Sequence, residues 1–128
     1  MMHYRWFYLL IIVVALACAT PDSKDMQLKA ATPRDGLQTA TFAGGCYWSM
    51  QAAFEKLNGP SKVIAGYAEG TSAAGATGPV EAVQVHYDPE LISYQELLDY
   101  YWRHIDPTDA GGSFYDRGSE YMSYIFYR

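Results

Sequence analysis

The period of the apolar residues changes abruptly at Gly44-Gly45-Cys46, and that change limits the folds open to this chain. Upstream, Thr39-Ala40-Thr41-Phe42-Ala43 reads as a short strand. Downstream, Tyr47, Met50, Phe54 and Leu57 recur at steps of three, four and three, one face of a helix. A strand that becomes a helix across two glycines needs a sheet for the one and a covering layer for the other. Asn58-Gly59-Pro60 closes the helix with turn chemistry. A second strand covers residues 62–67, a loop of small residues covers 69–79, and a third strand covers 81–87 before Asp88-Pro89 stops it. Ser93-Tyr94-Gln95-Glu96 is a capping box. It opens a helix whose apolar stripe is Tyr94, Leu97, Leu98, Tyr101, Trp102 and Ile105, with Asp106-Pro107 as its end. A Gly- and Asp-rich loop then leads to a last strand over residues 122–127. The order strand, helix, strand, strand, helix, strand implies an α+β or mixed α/β class, one sheet covered by helices.

The N-terminus has a different logic. Arg5 precedes an apolar run over residues 6–17, with small residues around Cys18. The run is short for a bilayer span and fits the core of a signal segment. Ala15-Leu16-Ala17-Cys18 resembles a bacterial lipobox, which makes Cys18 the lipidation candidate. Residues 1–18 are therefore expected to be a signal or lipoprotein signal, residues 19–38 a flexible tether, and residues 39–128 the domain. A periplasmic or cell-surface location follows, with contact to the membrane through the N-terminal signal or lipid anchor only. Half of the residues are hydrophobic, enough for a core, and 128 residues suffice for one domain. The net charge of −5, without a basic run, excludes a nucleic-acid surface.

Of two cysteines, Cys18 belongs to the processing segment, so Cys46 is the one thiol of the domain. No internal disulfide can form there. Gly44 and Gly45 leave the thiol approachable, and a helix N-terminus favours the thiolate, the nucleophilic form. A small core cysteine at a helix start fits the same pattern. Glu81 is the second anomaly. Strand alternation puts Glu81, Val83, Val85 and Tyr87 on one face and Ala82, Gln84 and His86 on the other. A carboxyl at the head of the apolar face is desolvated, which raises its pKa and lets it donate a proton. A Glu at a strand end that simply reaches water is the plainer alternative. The Gly-rich loop carrying Asp116 and Tyr121 reads unaided as surface. His86 and His104 lack metal-site spacing, and Asp88, Asp106 and Asp109 lack calcium-loop spacing, so no metal is expected.

Three ordered blocks carry a resemblance. Thr41-Phe42-Ala43-Gly44-Gly45-Cys46-Tyr47-Trp48 closely resembles the GGCFW signature of A-class peptide methionine sulfoxide reductases. Residues 77–85 resemble their TGHAEAV segment, and residues 104–108 with Asp116 to Tyr121 resemble their third block. The resemblance spans about residues 39–127. It implies a single-domain two-layer α/β sandwich, with helices packed on a ferredoxin-like mixed sheet. It implies reduction of methionine-S-sulfoxide, in oxidised proteins or as the free amino acid. Cys46 is then the nucleophile, Glu81 the acid, Tyr121 a donor to the sulfoxide oxygen and Asp116 a pocket organiser. Tyr47 and Trp48 become aromatic walls for the substrate methyl. It implies no bound cofactor. A thioredoxin-like protein or small thiol must recycle the Cys46 sulfenic acid.

The chain departs from that pattern in several places. Between Tyr67 and Thr77 it is shorter, and nothing matches the Tyr of a PTY segment. Pro79 replaces a His, Met122 an Arg and Tyr47 a Phe, and the C-terminus is also expected to be shortened. Two rival readings stand beside the reductase: a catalytically weak or inactive relative that acts as a binding module, and a general thiol peroxidase.

Overall fold

The computed structural model describes residues 27–28, 36–69 and 78–126. Within them the chain runs β1 (Gln38–Ala43), α1 (Tyr47–Phe54), β2 (Pro60–Ala68), β3 (Val80–Tyr87) and α2 (Tyr94–Trp102). Two short strands follow, β4 (Gly112–Ser113) and β5 (Asp116–Arg117), then a 3-10 turn (Ser119–Tyr121) and β6 (Tyr124–Phe126). Four strands form one sheet in the order β2-β3-β1-β6, and β4 and β5 make a separate hairpin. The βαββαβ order read from the periodicity is that of the four-stranded sheet and its helices, with the β4–β5 hairpin an addition within the loop before the last strand. Its α+β, two-layer character holds, with β3 inserted between β1 and β2 as in a split βαβ unit. Each pairing between the named strands is antiparallel. The parallel component of the expected mixed sheet is confined, among the described residues, to a single bridge between Gln27 and Tyr67.

Register fixes what each face carries. Phe42 lies opposite both Val83 and Ile125, Ala40 opposite Val85, and Val63 opposite Val85. These side chains leave the sheet on the helix side, where Met50 and Phe54 of α1 and Leu97 and Tyr101 of α2 meet them. Phe42 is the hub. Its ring stacks on Phe54 at 5.3 Å and on Tyr101 at 5.0 Å between centroids. Tyr101, buried among them, passes its hydroxyl to the Ala43 carbonyl at 2.7 Å, so the burial leaves no unpaired phenol.

The opposite face holds Ala43, Ala68, Val80 and Ala82, with Leu28, Tyr124 and Phe126 against them. Consequently Ala82 and Gln84 are buried too, although alternation suggests an outer face for them. A strand with neighbours on both edges and cover on both faces loses the alternating signature.

The helices are shorter than their apolar stripes suggest. α1 stops at Phe54, and Leu57 follows in the turn. α2 opens on the expected capping box: Ser93 Oγ accepts from Glu96 N at 3.2 Å, and Glu96 returns a carboxylate to Ser93 N at 2.8 Å. Its buried line is Leu97 and Tyr101, while Tyr94 and Trp102, on the stripe's flanks, stay exposed. Residues 1–18, the lipidation candidate Cys18 and Thr77 lie outside the described residues. Three described residues of the stretch read as a tether meet the sheet: Gln38 opens β1 opposite Tyr87, Gln27 bridges Tyr67, and Leu28 N donates to the Tyr67 carbonyl at 2.8 Å.

Candidate active site

Cys46 is the N-cap of α1, with extended backbone and no hydrogen bond from its own side chain to the helix. The turn before it works because of two glycines. Gly45 has φ +83°, a conformation that costs an L-residue about 1–2 kcal/mol. A Cβ on Gly45 would also press on Asp116 Oδ2 at 3.2 Å, and one on Gly44 would run into Ile105. Cys46 is partly exposed.

Two carboxylates reach this helix start from distant segments. Asp116 Oδ2 accepts from the Cys46 N–H at 3.1 Å, and Glu81 Oε2 accepts from the Tyr47 N–H at 2.9 Å. Both satisfy donors that a helix leaves open at its N-terminus, and both sit at the positive end of its dipole. Asp116 gets there because β4 and β5 fold back as a tight hairpin, with Ser113 opposite Asp116 and Phe114 at φ 54° in the turn. An ion pair between Arg117 and Asp109 sits across its base. The 3-10 turn brings Tyr121 in behind, its carbonyl accepting the Gly45 N–H at 3.0 Å. The loop that read as surface is thus the back wall of the site.

Glu81 is 7% exposed, at the head of the helix-side face of β3. Burial pushes its pKa up, the Tyr47 N–H pulls it down, and the negative charges of Asp116 and Glu120 push it up again. The net direction is upward, as strand alternation suggests. The Tyr121 phenol is held above its ordinary range chiefly by the nearby Glu81 charge, with burial, Glu120, Asp116 and Cys46 adding to it. Tyr121, Glu81, Asp116 and Cys46 therefore share one electrostatic neighbourhood.

Tyr47 and Trp48 meet edge to face at 5.0 Å, with Trp48 60% exposed. The six residues singled out from the sequence converge on one end of α1. Sequence reasoning passed over Tyr67. Its ring packs on that of Tyr47 at 5.6 Å between centroids, and its pKa is raised first by burial, then by Tyr47 and the Glu81 charge. The period-2 set Val63, Ala65, Tyr67 was the available signal, but only register places it opposite Glu81.

A thiol, a carboxyl and a phenol stand around one exposed aromatic wall, groups whose chemistry allows attack on a polar substrate and protonation of a leaving oxygen. Residues 38–128 match the family model described as peptide methionine sulfoxide reductase. The MsrA of Listeria monocytogenes serotype 4b is 43% identical over 102 residues, covering 73% of this chain and 58% of that protein. The reduced form of Mxr1 from Saccharomyces cerevisiae superposes with TM-score 0.66 at 26% identity, over 79% of this chain and 65% of that one. Mxr1 in complex with Trx2 matches with TM-score 0.53 at 28% identity, over 69% of this chain and 60% of that one. The chain spans just over half the length of that curated relative.

Proposed function

Because the chain belongs to the A-class peptide methionine sulfoxide reductases, we propose that it reduces methionine-S-sulfoxide through Cys46. The observation that carries this is the convergence of the Cys46 and Tyr47 amides with Asp116 and Glu81 at one helix start. The sulfur of Cys46 attacks the sulfoxide sulfur. Glu81, whose pKa burial raises, gives its proton to the oxygen, and Tyr121 steadies that oxygen with a hydrogen bond. The oxygen passes to Cys46 as hydroxyl and methionine leaves. The substrate sulfur gains two electrons and Cys46 becomes a sulfenic acid.

Asp116 works at one remove, holding the Cys46 amide and so the thiol's position. Tyr47 and Trp48 offer aromatic contact to the methyl and methylene groups of the substrate. Recycling needs an external thiol: one thiol forms a mixed disulfide with Cys46 and releases water, and a second displaces it. A thioredoxin-like protein or a small dithiol fits that role, and Mxr1 bound to Trx2 supports the former. The substrate class is oxidised methionine, in polypeptides or free. Export, with Cys18 as lipid attachment point, completes the reading and is supported by the apolar run before it.

The test is stoichiometric. One equivalent of the S-epimer, with no reductant, is expected to yield close to one equivalent of methionine from the native chain and none from Cys46→Ser. Near-zero product from both sinks the reductase reading and leaves a binding module.

A further inference from the structure

Tyr67 lies on β2 directly opposite Glu81 on β3, so the two side chains leave the sheet side by side on its helix face. The phenol lies close enough to the Glu81 carboxyl to lower its pKa, and the Tyr47 side chain in turn raises that of the phenol. The rings of Tyr67 and Tyr47 pack at 5.6 Å, tilted by 58°. From outside the sheet, Leu28 N donates to the Tyr67 carbonyl at 2.8 Å, with Gln27 bridged to the same residue. The side chain is thus held by packing and through its main chain.

We propose that Tyr67 is a positioning residue for the acid: its hydroxyl and the Tyr47 N–H together grip the Glu81 carboxyl and fix where its proton points. The two donors come from different elements, β2 and α1. Either one alone leaves the carboxyl free to turn about its last torsion, which is a broad one. With both in place, the carboxyl plane is set by the sheet register and the helix start at once. The grip also opposes the groups that favour the neutral acid. Asp116 and Glu120 face Glu81 with negative charge, Tyr121 and Cys46 stand nearby, and the site is desolvated. Tyr67 and the Tyr47 amide are the contacts that stabilise the carboxylate. The acid is thereby kept able to release its proton as well as hold it. This inference rests on the reductase reading only for the task assigned to Glu81.

The experiment is a carbon-13 carboxyl titration of Glu81 in the full chain, its signal assigned with Glu81→Gln. Single-turnover rates against pH are measured alongside. Tyr67→Phe keeps the ring and its packing. It is expected to move the Glu81 midpoint up and to carry the alkaline fall of the rate with it. The limiting rate drops roughly tenfold, the scale of one hydrogen bond to a charged group, with little change in substrate affinity. Glu120→Gln is expected to move the midpoint the opposite way. A Tyr67→Phe midpoint equal to or below the native one overturns the proposal. A native chain without sulfoxide reduction, but with the midpoint shift, would overturn the function and leave the grip standing.

Discussion

Cysteine is a weak hydrogen-bond acceptor, so Cys46 cannot cap its own helix as Ser or Asp would. The exposed amides are instead taken by Asp116 and Glu81, and that ties the Cys46 thiol and both carboxyl groups to one helix start. Glu81→Gln keeps the acceptor for the Tyr47 amide and removes the proton. Its single-turnover rate is expected to fall by on the order of 10²-fold or more, the usual range for a lost general acid. Stability runs the other way. The folded-state pKa of Glu81 lies above its unfolded value. Its contribution to stability is therefore complete below the unfolded pKa and is lost as pH rises through the folded one. Melting curves of Glu81→Gln should match the native chain in acid and lie above it at neutral and alkaline pH. A variant that melts lower at pH 8 would contradict the desolvated acid.

The element that matters most is the join between β1 and α1. Gly45→Ala places a side chain at φ +83° and against Asp116 Oδ2. The expected loss is about 1–2 kcal/mol in urea unfolding, together with a drop in single-turnover rate, because Asp116 must shift from its contact with the Cys46 amide. Loss of stability with an unchanged rate would show that the Asp116 contact does not matter to the chemistry. Far from the site, Ser93→Ala removes the capping box of α2 and should cost about 1 kcal/mol with no effect on single-turnover rate. The two variants separate damage to the site from damage to the scaffold.

Across the whole molecule, one core links both helices to the sheet through Phe42, so Phe42→Ala should cost about 3–5 kcal/mol and lower a single cooperative transition. Cys46 is the free cysteine among the described residues. After one equivalent of substrate, mass spectrometry of the domain should find a sulfenic acid at Cys46 and no intramolecular disulfide. Further turnovers should require an added dithiol. Turnover sustained without one would refute external recycling. In cells of a lipoprotein-processing bacterium, Cys18→Ser should release the chain from the membrane fraction, and unchanged fractionation would remove the lipid anchor from the proposal.

Local chemistry written into the chain determined the βαββαβ order, the capping box at Ser93, the strand-to-helix switch at Cys46 and the family, because period, caps and glycines act over a few residues. Glu81's burial was legible for the same reason, as the head of an alternating strand. Pairing in three dimensions alone decided that Tyr67 faces Glu81, that Asp116 reaches the Cys46 amide and that Gln84 is buried. Those facts depend on register between strands separated by loops and on a hairpin folding back across the sheet's end. No spacing along the chain encodes such contacts, since the energy that selects them is the burial of the whole core.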